Sequence, residues 1–216
     1  MKVAALYDVH GMPWTLEAAL ADVDDADEIV FGGDLLGGPY PERVVELARS
    51  VDARFVRGNS EREPSERDRE RVPAEQLAWL AGLPLTESLD EVLYCHAAPG
   101  DDLPITTIFT PDETLLERFG SGTVVIGHTH HQFDRRLGDL RVVNAGSLGM
   151  PYEGKVAAFW ALLVDGEPEF RSTPFDVERA IREIEASGWP TGPEFVAENL
   201  RSAVRREEAA AQLEGG

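Results

Sequence analysis

The sequence predicts an α/β protein with a two-sheet core, and three observations carry that expectation. Short apolar runs alternate with helical segments through the first third of the chain. Each run stops abruptly at a glycine, aspartate or asparagine, as a buried strand does when it feeds a loop. After residue 122 the strand-like runs are closely spaced and separated by turn pairs such as Gly138-Asp139 and Asp165-Gly166, which is a hairpin pattern.

The elements follow in order. Lys2–Tyr7 is an apolar strand ending at Asp8, and Thr15 caps an Ala/Leu/Glu-rich helix reaching about Asp22. Glu28–Phe31 is a second strand, stopped by Gly32-Gly33-Asp34. Pro41 and Glu42 open a helix to about Ser50. Arg54–Val56 is a third strand, cut off by Gly58-Asn59. Strand–loop–helix repetition of this kind predicts βαβ units with largely parallel strands. Glu61–Arg71 is almost wholly charged and reads as a solvated loop or exposed helix without a functional role. Pro73 starts a helix to about Ala81. Val92–Tyr94 runs into Cys95-His96, and Thr123–Ile126 into Gly127-His128. Phe133–Arg136, Leu140–Val143, Lys155–Val164 and Glu169–Phe175 read as antiparallel hairpins completing a second sheet. Asp176–Ser187 and Pro193–Leu213 are helical, joined by a turn at residues 189–193, with Ile181, Ile184, Phe195, Val196, Leu200 and Val204 at helical spacing. No linker divides the chain: residues 1–175 form the main domain, and 176–216 are terminal helices packed on it.

Composition limits the function. The 216 residues suffice for a substantial core. No apolar run approaches the roughly 18–20 residues that span a bilayer. The N-terminal run turns polar at Asp8, too early for a signal peptide, and the single cysteine rules out an internal disulfide framework, so a cytoplasmic location is the default. With 40 acidic against 20 basic residues, a net charge of −20, the chain is a poor candidate for binding nucleic-acid polymers or anionic membranes. Attraction for a phosphate group would have to be local, and bound cations would supply it.

The chemistry sits just past strand ends. Asp8 and His10 follow the first strand, Asp34 the second, Asn59 the third, and His96, His128 and His130 follow later ones. Residues two apart on an extended segment point the same way, so Asp8/His10 and His128/His130 can each aim two ligands at one place. Carboxylate oxygen, imidazole nitrogen and one amide oxygen together suit manganese, iron, zinc or nickel better than calcium. Four of the five histidines lie in these motifs. Any one alone reads as an ordinary core or surface histidine; four beside carboxylates and glycines do not.

Asp8-Val9-His10, Gly33-Asp34, Gly58-Asn59, His96 and Gly127-His128-Thr129-His130, in that order over residues 8–130, resemble the signature of calcineurin-like metallophosphoesterases. Asn144-Ala145-Gly146-Ser147-Leu148-Gly149 resembles the loop after the last motif in their small bacterial phosphodiesterase branch. The resemblance implies a four-layer αββα sandwich with two mixed sheets flanked by helices, and two divalent transition-metal ions, manganese first. It implies that Asp8, His10 and His130 hold one ion, that Asn59, His96 and His128 hold the other, and that Asp34 bridges them. It further implies hydrolysis of a small phosphate ester, a diester by preference, by attack of a hydroxide bridging the metals, with Asp34, Asn59 and His96 as the catalytic set. The rivals are a phosphomonoesterase acting on protein or nucleotide, and a non-catalytic scaffold. The sequence also leaves room for a homo-oligomer, with the terminal helices as its natural contact.

The departures bear on mechanism. Many members have a histidine straight after the motif asparagine, where it protonates the leaving oxygen; here that residue is Ser60, followed by Glu61. His131 is a candidate donor against the plainer reading of a loop histidine pointing at water. Tyr7 and Gly11-Met12-Pro13 depart from the family form and would narrow the pocket. Cys95, on a strand beside His96, reads as a small core residue. Arg57 and Arg62 are candidates for substrate phosphate, against ordinary ion pairs. Gly32/Gly33 and Gly37/Gly38 read as permitting tight turns around Asp34, and Asn144 and Gly146 as shaping a turn below the site.

Overall fold

The computed structural model describes residues 1–23 and 25–215. Its first strand, β1 (Lys2–Leu6), is buried on both faces. Ala4 and Leu6 point to one side and Val3, Ala5 and, just beyond the strand, Tyr7 to the other, the period-2 alternation of extended chain. β1 pairs parallel with β2 (Glu28–Phe31), and β2 with β3 (Arg54–Phe55). Between them run α1 (Pro13–Asp22) and α2 (Pro41–Arg49), each opening on a proline whose missing N–H costs nothing in a first helical turn. Thr15 therefore lies inside α1 rather than capping it, and its hydroxyl donates back to the Met12 carbonyl at 2.8 Å.

The acidic–basic run after β3 folds into α3 (Asn59–Arg62) and α4 (Glu66–Arg71), followed by α5 (Ala74–Ala81). It is not simply solvated: Glu61 and Asp68 are buried. Thr86–Leu89 is a strand, β4, that the sequence reading did not find. It pairs antiparallel with β5 (Val92–Cys95), which pairs parallel with β6 (Gly122–Ile126) after α6 (Asp112–Phe119). The hairpin of β7 (Phe133–Leu137) and β8 (Leu140–Asn144) completes this second sheet, in the order β4-β5-β6-β8-β7.

The next hairpin does not follow it. β9 (Ala158–Val164) and β10 (Glu167–Thr173) return to the first sheet, whose order is β10-β9-β1-β2-β3, with β9 antiparallel to β1. The fully apolar sequence of β9 explains this. Ala158, Trp160 and Leu162 join the helix-facing core, while Ala161 and Leu163 join the core between the sheets, so the strand is buried on both faces and paired on both edges, by β1 and β10.

The layers follow from these clusters. α1, α2 and α5 cover the outer face of the first sheet through Leu16, Val44, Val45 and Leu80. Val3, Val30, Tyr94, Val125 and Val143 fill the space between sheets. Leu115 and Phe119 of α6 pack on the outer face of the second sheet. The result is the four-layer αββα sandwich with two mixed sheets.

The terminal region folds into three helices where the sequence suggested two: α7 (Val177–Ala186), α8 (Gly192–Asn199) and α9 (Arg206–Glu214). Asp176 caps α7, accepting from the Arg179 amide. Ala180, Ile181 and Ile184 of α7 and Phe195 and Val196 of α8 pack with Met12 and Trp14. The break at 200–205 lets the chain cross to Gly154, whose amide donates to the Val204 carbonyl at 2.8 Å. Among the described residues no helix is long and apolar enough to cross a membrane.

Candidate metal centre

All seven residues singled out in the sequence meet at one edge of the sandwich, beyond the C-terminal ends of β1, β2, β3, β5 and β6. Loops after adjacent parallel strands emerge together, which is why such edges host sites. The loop after β1 is laced to the loop after β2: the amides of Asp8, His10 and Gly11 donate to the carbonyls of Gly33, Asp34 and Leu35 at 3.1, 2.9 and 3.0 Å. The paired residues converge by a different route from the extended one expected. Asp8, His10, Asp34, His128 and His130 all have positive φ, between 46° and 66°. That left-handed conformation is uncommon outside glycine and concentrates at functional sites.

The donor atoms form two groups. In one, His10 Nε2 and His130 Nε2 stand 3.1 Å apart, with Asp8 Oδ1 4.0 Å and 3.6 Å from them. In the other, His96 Nε2 lies 3.2 Å from His128 Nδ1 and 3.1 Å from Asn59 Oδ1. Asp34 Oδ2 sits between the groups, 3.7 Å from His10 Nε2 and 3.6 Å from His96 Nε2. Two three-residue subsets, Asp8/His10/His130 and Asp34/His96/His128, each present donor atoms close enough together to hold a cation.

The second nitrogens settle which way the lone pairs point. His96 Nδ1 donates to the Gly32 carbonyl at 2.9 Å, His130 Nδ1 to Met150 at 3.0 Å and His128 Nε2 to Leu103 at 3.1 Å. A carbonyl only accepts, so each of these nitrogens carries the proton, and in the neutral imidazole, the form that ligates metal, the other ring nitrogen turns its lone pair inward. Asp8 Oδ1 is buried without a hydrogen-bond partner, while its Oδ2 accepts from the His128 amide at 2.9 Å. Facing lone pairs around an orphaned carboxylate oxygen repel unless a cation lies between them. Metal–ligand bonds of about 2.0–2.2 Å would separate such atoms by roughly 3–4 Å. The residues present fit divalent metal.

Burial lowers the basicity of the imidazoles of His10 and His130, the latter far below the ordinary range, and that of His128 to about 4. Asp34 is held at about 2: burial acts upward, and His96, His10 and Ser60 outweigh it. Burial pushes the Asp8 carboxyl well up.

Sequence reasoning undervalued Glu61. It is fully buried, and its carboxylate accepts from the amides of Asp34 and Leu35 at 2.8 Å, Leu36 at 3.2 Å and Gly58 at 2.8 Å. It thereby ties the Asp34 loop to the Asn59 loop. Asp68 does similar service further out, accepting from the Gly37 amide at 3.0 Å. The signal for Glu61 was an acid directly after Gly58-Asn59-Ser60, masked by the surrounding charge.

The other candidates resolve plainly. His131 does not point at water. It is buried against Phe133 and its Nδ1 donates to the Thr129 carbonyl. Tyr7 does not narrow the pocket, because its ring lies between the sheets and its hydroxyl donates to the Val125 carbonyl. Met12 lies in the core beneath α7 and α8. Gly11 is required, since at φ 59° a Cβ there would meet the Gly37 carbonyl oxygen at 2.1 Å. Arg62 pairs with buried Asp102 at 3.0 Å, and Arg57 approaches the same carboxylate at 3.8 Å. Cys95 is a buried core residue. Asn144 shapes the turn under the site, donating to the Gly127 carbonyl and accepting from the Gly146 amide.

A two-sheet sandwich with this edge of carboxylates and imidazoles defines a metallophosphoesterase-type protein. Residues 1–167 match the family model of the calcineurin-like phosphoesterase superfamily domain, and the chain belongs to that superfamily. Among solved structures it is similar to a metallophosphoesterase from Sphaerobacter thermophilus, with 22% identity, a TM-score of 0.81, and 94% of this chain and 99% of that one covered. A hypothetical protein from Pyrococcus horikoshii gives 18% identity, a TM-score of 0.74 and coverage of 94% and 99%. The E. coli phosphoesterase YfcE gives 22%, 0.51 and coverage of 82% and 100%. At these identities the likeness concerns the fold. No curated protein matches the chain.

Proposed function

We propose that the protein is a dinuclear metal-dependent phosphoesterase that hydrolyses small phosphodiesters. The observation that carries the reading is the position of Asp34 Oδ2, almost equidistant from the two imidazole groups. A single anionic oxygen placed there offsets repulsion between two cations. Asp8, His10 and His130 would hold one ion and Asn59, His96 and His128 the other, and oxygen and nitrogen donors without thiolate make manganese the first choice. A pair of such ions, when bound, clamps the attacking and leaving oxygens of an in-line displacement and acidifies water at the site.

The chain's own residues orient that chemistry. The Leu103, Gly32 and Met150 carbonyls fix three imidazole tautomers, and Glu61 fixes the two loops carrying Asp34 and Asn59. The diester preference rests on charge. A monoester dianion calls for a free arginine beside the metals, and the two arginines flanking Asn59 both face Asp102. A diester carries a single negative charge and needs no such partner.

Manganese-loaded protein should contain up to two ions per chain and hydrolyse bis(4-nitrophenyl) phosphate faster than 4-nitrophenyl phosphate. Chelation should abolish both activities. Asp34→Asn should lose metal and turnover together; retention of both would remove the bridging role. An Asp8→Ala/His128→Ala variant as active as the wild type would remove the enzyme reading altogether.

A further inference from the structure

Two residues outside the set of proposed ligands join the elements that carry one half of the metal centre. Asp102 is buried, and Arg62 Nε donates to both of its carboxylate oxygens, at 3.0 and 3.1 Å. Arg62 closes the short turn of α3 that Asn59 opens, its amide donating to the Gly58 carbonyl at 3.3 Å. The ion pair therefore runs from the turn that carries Asn59 to the loop that follows His96.

That loop also reaches His128. After His96 the chain folds back on itself: the Ala98 amide donates to the Asp101 carbonyl at 2.9 Å and the Asp101 amide to the Ala98 carbonyl at 3.1 Å. The Leu103 amide donates to Asp101 Oδ1 at 3.1 Å. The turn brings the Leu103 carbonyl, one residue past Asp102, to its hydrogen bond with His128 Nε2. Asn59, His96 and His128 thus each depend on an element that Arg62 and Asp102 tie together. Hydrogen bonds between ionised partners are roughly twice as strong as neutral ones, which suits a loop that is neither helix nor strand from Asp102 to Thr107.

The other half of the centre is held by neutral groups. The Ser147 hydroxyl donates to the Asp8 carbonyl at 2.8 Å and accepts from the Met150 amide at 2.9 Å. The amides of Gly149 and Tyr152 donate to the carbonyls of Asp8 and His130 at 3.0 and 2.9 Å. None of these bonds involves the Asp102 loop.

We propose that Arg62 and Asp102 are a positioning pair for the second ion, keeping Asn59, His96 and His128 in register without touching metal or substrate, and that the first ion's ligands do not depend on them. The proposal rests on the dinuclear reading of the centre, and its test treats the two halves separately. His10→Ala removes a ligand from the first half and leaves the second; His128→Ala does the reverse. Manganese is titrated calorimetrically into each background, with and without Asp102→Asn. In the His10→Ala background, Asp102→Asn should weaken the remaining ion by about tenfold, the low end of what losing an outer-shell partner costs. In the His128→Ala background it should change nothing.

Arg62→Met should act in the same direction, and Arg62→Lys, which keeps the charge, should act less. The Arg62→Met/Asp102→Asn double variant should bind no more weakly than Asp102→Asn alone, because two members of one pair do not add. Should Asp102→Asn fail to fold, Arg62→Met, at a partly exposed position, gives the same comparison. Equal weakening in both backgrounds would mean general loosening of the fold and would overturn the proposal, as would no weakening in either. Turnover of bis(4-nitrophenyl) phosphate by the wild type in those cases would leave the phosphoesterase reading standing. Selective loss of the second ion from a protein that hydrolyses no phosphate ester would sink that reading and leave the positioning pair in place.

Discussion

The Glu61 carboxylate collects amides from two loops that carry different proposed ligands, so its charge matters although it touches no substrate. Glu61→Gln puts an amide nitrogen where an acceptor is needed and leaves at least one buried N–H without a partner. The expected cost is about 1–3 kcal/mol in urea unfolding of the metal-free protein. A fall of roughly 10–100-fold in manganese affinity should accompany it, and unchanged values would mean that the loops hold each other without it. Ser60 is the next residue along. Its hydroxyl donates to Glu61 and its amide to Asp34, so it is no source of a proton for a leaving oxygen. Rates across aryl and alkyl phosphodiesters should fall steeply as the leaving group becomes more basic, and Ser60→His should flatten the slope. A shallow slope already present in the wild type would point to another acid, which buried His131 does not supply. Cys95 offers a check on the core. Burial pushes its thiol up to about 12, whereas an unfolded thiol ionises near 8.5. Folded protein should resist iodoacetamide at pH 8 and react once urea unfolds it. The folded state holds the proton more tightly, so this group's contribution to stability is intact below about pH 8.5 and falls away as the pH rises toward 12.

At the scale of elements, the strand ends were legible and the loops between them were not. The abrupt stops at Asp8, Asp34, Asn59, His96 and His128 marked where each strand of the site ends, because apolar alternation cannot continue through a ligand. How the pairs aim was not legible. Asp8 and His10 converge through two left-handed residues, not through an extended segment, and nothing in a spacing of two distinguishes those routes. β4 escaped notice because Thr86-Glu87-Ser88 is polar, as an edge strand with one open side can be. Glu61 was hidden by its neighbours, since a charged run averages away the one member that turns inward. The loop geometry has a test at Gly149, whose amide donates to the Asp8 carbonyl and where a Cβ would lie 2.1 Å from the Val9 carbonyl oxygen. Gly149→Ala should cost about 1–3 kcal/mol, the usual scale of overpacking, and should loosen metal binding although the residue carries no ligand. Metal content and a melting curve read both effects. An unchanged melting temperature would show that the loop yields freely.

For the whole molecule, two cations bound only by the folded state would add stability by mass action. Free manganese at a hundred times its dissociation constant is worth about 2.7 kcal/mol for one site, or roughly 5–10 °C in a domain of this size. A melting temperature indifferent to manganese and to chelator would count against the centre. The αββα layering was foreseeable through the resemblance that the motif order carries, whereas the return of β9 and β10 to the first sheet was not, because an apolar run marks a buried strand without naming the strand it pairs with. That return has a consequence for the order of synthesis. Ala5 pairs with Ala161, 156 positions further along. A chain that has emerged from the ribosome as far as Gly149 already carries every proposed ligand, yet β1 still has one bare edge and lacks the strand that will sit beside it. At roughly 5–20 residues per second, translation needs on the order of a second to bring out β9. Until then the ribosome presents a complete set of donors on an unfinished frame, and manganese taken up in that interval would meet a site whose first loop is anchored on one side only.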